Sequence, residues 1–335
     1  MLRIRHGWFA VVLAVGAISA CKKDEKADPA AAGGGGAAAV GASAAAASGD
    51  DLSLLPVDSE LVLGINVGQI QDSALWKQFA APALDKARTQ GKLDKLKEFQ
   101  DKCGFDPTTS IKSVSVGLSN PGDDKPSGVV VIHGIDKAKA FACADKMKDD
   151  AAAKGTEVTK DGDVYLLKEK DKSETTGIMF ANDTTAVMVV GEKGATAAGV
   201  KAVVAGGSAL KTSPAFVEMY SKVKTTDSVW FVINGKLLEK AAAIGTKPKA
   251  MYGSLNVSDG LALDMRMKLD SPDVAAQMAA KFKEQSAQAA AMVDKIDITN
   301  EADVVKMNLV LSNQKLQALV TQFGALFGLG GLGTK

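Results

Sequence analysis

From residue 58 onward the chain is built of short apolar runs, separated by longer stretches in which apolar residues return every third or fourth position. The first pattern suits strands and the second amphipathic helices. Asp58-Ser59 precedes Leu61-Val62-Leu63-Gly64-Ile65, a strand that Asn66-Val67-Gly68 leads into a helix. A long helical region follows over 73–100, with Gly91 as its break, and apolar positions then alternate over 110–119. Residues 129–132 are the next strand, and Asp136 opens a helix with Ala140, Ala144 and Met147 on one face. Val158, 164–167, 178–181 and 186–190 read as further strands, the first two joined by the Asp161-Gly162 turn. Helices near 194–205 and 214–223 close this part.

The same order then returns. Asp227-Ser228-Val229-Trp230-Phe231-Val232-Ile233-Asn234-Gly235 repeats 58–68, with one residue dropped before the glycine. A short helix over 237–244 is followed by a hairpin, 251–257 and 261–269, around Ser258-Asp259-Gly260. Ser271-Pro272-Asp273 supplies a capping serine and a proline at the first helical position, and the helix carries Val274, Met278 and Phe282 at spacing four. A second hairpin, 296–299 and 304–311, and a closing helix over 314–327 complete the unit. The pattern predicts an α+β protein of two tandem β-α-β-β-α-β-β-α units, 51–224 and 225–328, the first with an extra strand or hairpin. Each unit is expected to be an antiparallel-rich sheet with helices packed on one face. Asn66 and Asn234 should occupy matching strand-to-helix turns, with Gly68 and Gly235 supplying backbone freedom.

The start of the chain follows a different pattern. Arg3, Arg5 and His6 precede an apolar stretch from Trp8, and Ile18-Ser19-Ala20-Cys21 is a small-residue cleavage site with cysteine directly after it. The apolar run from Trp8 to Ala20 is 13 residues long, against roughly 20 needed to cross a bilayer core. Residues 1–21 resemble the signal of bacterial lipoproteins, with Ile18 where leucine is usual. The resemblance implies removal of 1–20, diacylglycerol on the Cys21 thiol and acylation of the new amino group. Lys22 stands where aspartate retains such proteins at the inner membrane, so the resemblance favours the outer membrane, with a periplasmic body. That body resembles tandem α+β bacterial lipoproteins of unknown function.

Residues 22–50 open with Lys22-Lys23-Asp24-Glu25-Lys26 and continue as Ala, Gly and Ser, including Gly33 to Gly36. Too few large apolar groups are present to offset the ordering entropy, so 21–50 reads as the lipidated cysteine and a flexible tether. A tether of this length reaches roughly 30 Å. Residues 329–335 read as a flexible tail.

Charge excludes some functions. The chain has 40 Lys and Arg against 39 Asp and Glu, and loss of Arg3 and Arg5 with the leader keeps the balance near zero. No basic excess with interleaved aromatics marks a nucleic-acid binder. In an oxidising compartment Cys103 and Cys143 should be either disulfide-bonded or buried and inert; a bridge would bring their α-carbons within about 7 Å and pin two helices. No Cys-x-x-Cys suggests redox chemistry.

The search for catalytic or metal chemistry is mostly empty. Once His6 is removed, His133 is the one histidine, and it reads as a polar strand-end residue rather than a zinc ligand. Ser-x-x-Lys occurs at Ser208/Lys211, Ser221/Lys224 and Ser312/Lys315 without a Lys-Thr-Gly partner. Asp161-Gly162-Asp163 and Gly122-Asp123-Asp124 read as turns rather than calcium loops, and the Gly328–Gly333 stretch lacks the lysine of a phosphate loop. No catalytic residue, cofactor or metal site is therefore expected. Three classes remain: a lipid-anchored, non-enzymatic binding or scaffold module with an envelope protein partner; a periplasmic carrier of an apolar ligand or lipid; and a hydrolase without a recognisable motif. The first is the favoured expectation. The methionines Met265, Met267, Met278 and Met292 lend some weight to the second.

Overall fold

The computed structural model describes residues 51–121, 126–170, 175–206, 209–239 and 247–323, with backbone alone for 320–323. Cys21, the tether, the tail, Gly122-Asp123-Asp124 and Ser208 lie outside the described residues, as do the last residues of the helices expected over 237–244 and 314–327.

Strand propensity is strongest where Val, Leu and Ile alternate with small residues. Among the described residues these segments form twelve strands of one antiparallel sheet: β1 (Leu61–Asn66), β2 (Ser113–Ser119), β3 (Ser127–His133), β4 (Thr156–Asp161), β5 (Val164–Glu169), β6 (Thr175–Asn182), β7 (Thr185–Val190), β8 (Val229–Asn234), β9 (Ala250–Asn256), β10 (Gly260–Lys268), β11 (Lys295–Glu301) and β12 (Val304–Ser312). Their order is β11-β12-β10-β9-β8-β1-β2-β3-β7-β6-β5-β4. Separate sheets were expected for the two halves. Instead the halves share one, because β1 and β8 pair with each other at its centre and leave neither half an edge there.

The central pairing is self-complementary. Leu61 opposes Ile233 as Ile65 opposes Val229, with Leu63 opposite Phe231 in the middle. The backbone repeats the relation, since Asn66 N–H donates to the Ser228 carbonyl and Asn234 N–H to that of Glu60, both at 2.8 Å. Outward on each side come a second and a third strand (β2, β3; β9, β10), and then a returning strand beside the third (β7; β12). Asp136 and Ser271, just after the third strands, cap helices Lys137–Ala153 and Pro272–Ser286, accepting hydrogen bonds from Lys139 N–H and Val274 N–H. The hairpin β4–β5 is found on the first side alone.

Asn66 ends β1 and caps the short helix Val67–Asp72, taking a hydrogen bond from Gln69 N–H at 3.2 Å. Asn234 ends β8, and Gly235 follows with φ of +66°. Gly68 differs from expectation: it lies inside the helix and needs no unusual backbone conformation.

Alternation along the strands gives the sheet two apolar faces at its centre. One carries Val62, Val129, Val131, Val187, Val189, Trp230, Val232 and Tyr252, buried beneath Leu52, Leu55, helix Ala197–Val204 and helix Pro214–Tyr220. The opposite face carries Met267, Ile298 and Val305 at one end, under Ala275 and Met278 of helix Pro272–Ser286. At its other end Phe141 of helix Lys137–Ala153 packs against Tyr165 and Phe180. Helices thus cover both faces rather than the one expected. The reason is physical: Val62 and Val232 point one way, Leu63 and Phe231 the other, and each set must leave water.

Trp230 locks this centre. It is 2% exposed, meets Tyr220 edge-on at 5.2 Å, and Tyr220 stacks on Phe216 at 5.5 Å. Its indole lies over Gly64, where an added Cβ would sit 2.0 Å from Nε1. On the other face, Gly91 (φ +69°) breaks the expected long helix, and Gly104 (φ +72°) ends helix Asp94–Cys103. There Cys103 and Cys143 form a disulfide with α-carbons 4.5 Å apart, fastening that helix to Lys137–Ala153. Lys102 beside it bonds Asp150 and Glu98, which push its pKa up to about 12.

Two stability predictions follow from these contacts. Gly64→Ala should cost about 3 kcal/mol in urea unfolding, because the new methyl must displace a buried indole held by two further rings. Cys143→Ser opens a loop closed across a sequence separation of 40; it should cost about 4 kcal/mol in the chain-entropy picture, read as a drop in the urea midpoint under oxidising conditions.

Candidate functional site

The face buried under Trp230 and its neighbours changes character toward β11. Beyond β9 the same alternation brings Tyr252, Arg266, Lys306 and Thr299 into one cross-strand row, and Ser254, Asp264, Asn308 and Asp297 into the next. Charged and polar groups therefore line this half of the face. Helix Pro214–Tyr220 and the segment after it, carrying Lys222, form a wall beside the row, and the β11–β12 turn, Glu301-Ala302-Asp303, bounds it at the end. Between them lies a cleft of about 420 Å³. Ala302 has φ of +49°, the left-handed conformation the tight turn requires.

Three cations from three elements converge here. Arg266 Nη1 donates to the Lys222 carbonyl at 2.8 Å and pairs with Asp264 at 2.9 Å. Lys222 pairs with Glu218 at 3.0 Å, one helical turn away, and this hydrogen bond raises the lysine pKa. Lys306 pairs with Glu301. That hydrogen bond and the lysine charge hold the Glu301 carboxyl below its usual range, and Lys222 and Arg266 add to the effect from further off. At the floor, burial pushes the Tyr252 phenol up, partly offset by Lys222 and Arg266. Its hydroxyl has no hydrogen-bond partner among the described residues, and neither has the Asp303 carboxylate.

A second polar group lies elsewhere on this face. Ser115 Oγ donates to Asp51 Oδ2 at 2.6 Å, His133 Nε2 lies 2.9 Å from Asp51 Oδ1, and Thr185 Oγ1 lies 3.1 Å from His133 Nδ1. The order hydroxyl, imidazole, carboxylate is that of a catalytic triad. Thr185 is however only 4% exposed and Asp51 3%, so the hydroxyl has no open approach for a substrate. The cluster instead fastens residues 51–53 to β2, β3 and β7. His133 sits at the end of β3, as the sequence suggests; its carboxylate partner was not legible there, because 82 residues separate the two.

The remaining motifs stay apart. Ser221 Oγ donates to the Glu218 carbonyl while Lys224 faces Asp264 at 3.9 Å, and Lys315 bonds the Val293 carbonyl rather than Ser312. Asp161-Gly162-Asp163 is the β4–β5 turn, with Gly162 at φ of +62°. Among the described residues no group of three or more His, Cys, Asp or Glu could hold a metal ion, and no helix is long and apolar enough to cross a membrane. The cleft residues Lys222, Tyr252, Arg266, Glu301 and Lys306 were missed. The available signal was the polar alternation Asp264, Arg266, Lys268 and Lys306, Asn308, which reads as an ordinary solvent face until pairing puts the two strands side by side. No protein-family model, characterised protein or solved structure matches the chain.

The Glu301–Lys306 pair makes a pH prediction. A depressed carboxylate contributes stability above its unfolded pKa, in the ordinary glutamate range, and loses it as pH falls through the depressed folded value. In an NMR titration Glu301 should therefore ionise below the ordinary glutamate range, and Lys306→Ala should move its midpoint upward toward that range.

Proposed function

We propose that the protein is a lipid-anchored envelope protein acting as a non-enzymatic binding or scaffold module, and that its recognition site is the charged cleft over β9, β10 and β12. The observation that carries this reading is the uneven treatment of one sheet face. Leu52, Leu55 and two helices bury its first half, whereas the second half carries a polar row and a cleft. A face that needs only solvation does not require three cations from separate elements around one recess.

The leader, the lipid on Cys21 and the outer-membrane address rest on the resemblance of residues 1–21 to lipoprotein signals and on Lys22. The Cys103–Cys143 disulfide is consistent with an oxidising periplasm. The self-complementary β1–β8 register and the matched helix caps support reading the body as two related β-α-β-β-α-β-β-α units fused through their first strands. From β3, where His133 holds the tether root, to β10 is five strand spacings, about 24 Å. A tether of roughly 30 Å then leaves the cleft free to meet a partner in the envelope. The carrier alternative has less support, because the cleft is lined by charged groups, and a second, smaller cavity mixes Leu93 and Leu96 with Arg88, Asp94 and Lys97. Hydrolysis has less still, given the buried Thr185 and the separated Ser and Lys groups.

Two measurements test this. Mass spectrometry of the expressed protein should find Cys21 as the lipidated N-terminus; a chain beginning at Met1 would remove the anchor. Crosslinking in native envelopes should give a defined partner adduct that disappears in the Lys222→Glu, Lys306→Glu double variant and persists in a Lys97→Glu, Lys139→Glu control. Equal adducts in both variants would rule the cleft out as the recognition site.

A further inference from the structure

We propose that the cleft is a carboxylate-binding site, and that Glu301 is its built-in, displaceable occupant. The proposal rests on the cleft being the recognition site and names the chemistry that it recognises. A carboxylate is already present among the cations: Glu301, on the β11–β12 turn, is bonded to Lys306 and lies within reach of the charges of Lys222 and Arg266. Its side chain is 72% exposed, so it can swing into solvent by rotation about its own bonds, with no cost in buried contacts. An incoming carboxylate can then take its place. Arg266, 20% exposed, is held in position by the Lys222 carbonyl and Asp264, and Lys222 and Lys306 line the same recess. Tyr252, 1% exposed, closes the floor beneath them.

Charge balance narrows the class further. Lys222, Arg266, Lys306 and Lys224 are matched by Glu301, Asp264, Asp303 and Glu218. Replacing the Glu301 carboxylate by one from a ligand leaves the balance unchanged, whereas a polyanion would meet Asp264 and Asp303 at close range. The ligand is therefore a singly charged carboxylate on a peptide, either an acidic side chain or a chain terminus. The geometry accommodates both, because the recognised group is the same.

The experiment uses the full mature chain in a neutral maltoside micelle and three N-acetylated peptides: Gly-Gly-Glu-Gly-Gly amide, Gly-Gly-Gln-Gly-Gly with a free terminus, and Gly-Gly-Gln-Gly-Gly amide. Binding is read from the Arg266 guanidinium and Tyr252 amide NMR shifts. At least one of the first two should bind and the third should not; which one binds identifies the source of the carboxylate. Glu301→Gln, on an exposed turn, should bind about threefold more tightly because the competitor is gone, and Lys222→Ala with Lys306→Ala about tenfold more weakly. Equal shifts from all three peptides, no shift from any, or unchanged or weaker binding by Glu301→Gln would overturn the proposal. If the envelope adduct is lost on charge reversal while the peptides fail, the carboxylate chemistry falls alone; if the adduct survives charge reversal, the recognition site itself is wrong.

Discussion

The antiparallel pairing of β1 with β8 is the constraint on which the rest of the molecule depends. It converts what would be two small sheets, each with an exposed central edge, into one sheet whose free edges are β4 and β11. The register cannot slip, because moving β8 by one residue would exchange Trp230 and Val232 with Phe231 and put each set on the wrong face. Gly64 makes the choice unique. Only a residue without Cβ leaves room for the indole, and the indole in turn fixes Tyr220 and Phe216, and with them helix Pro214–Tyr220.

From that pairing the distribution of helices follows. The central strands are apolar on both sides, so covers are needed on both. The N-terminal segment and the two helices after β7 supply one cover, and the long helices after β3 and β10 lie against the ends of the other face. Beyond the end of the first-face cover, that face carries Arg266, Lys306, Asp264 and Asn308 in place of valine. The last segment of the first-face cover, ending near Lys222, stops at the border of this region and becomes the wall of the cleft. The site is thus a consequence of where one covering helix ends.

Much of this order was legible locally. Strands and helices could be placed from apolar spacing, from Gly91 and Gly104, and from the caps Asp136 and Ser271, because these signals act within a few residues. The Asp58–Gly68 and Asp227–Gly235 similarity pointed to related halves, and Asn66 and Asn234 do end the two central strands. The joining of the halves was not legible, since nothing in either strand states that its partner is the other. The cover on both faces was hidden for the same reason: Val62 and Leu63 are both apolar, and a strand buried on both sides shows no alternation. The Asp51–His133 contact and the cleft lay further out of reach, because each brings together groups from distant parts of the chain.

The two polar clusters on this face illustrate how environment rather than residue type assigns a role. Asp51, Ser115, His133 and Thr185 have the chemistry of a hydrolase, yet their contacts are turned toward one another and closed over by packing, so what they produce is a fixed root for the preceding segment. Lys222, Arg266, Lys306 and Glu301 are ordinary surface residues taken singly, and a pair such as Lys306–Glu301 contributes little to folding when exposed. That small contribution is what makes the arrangement usable for binding. A carboxylate held weakly among cations that the fold positions for other reasons can be exchanged without disturbing the sheet, whereas replacing Asp51 would leave a half-buried imidazole and a buried hydroxyl without their acceptor.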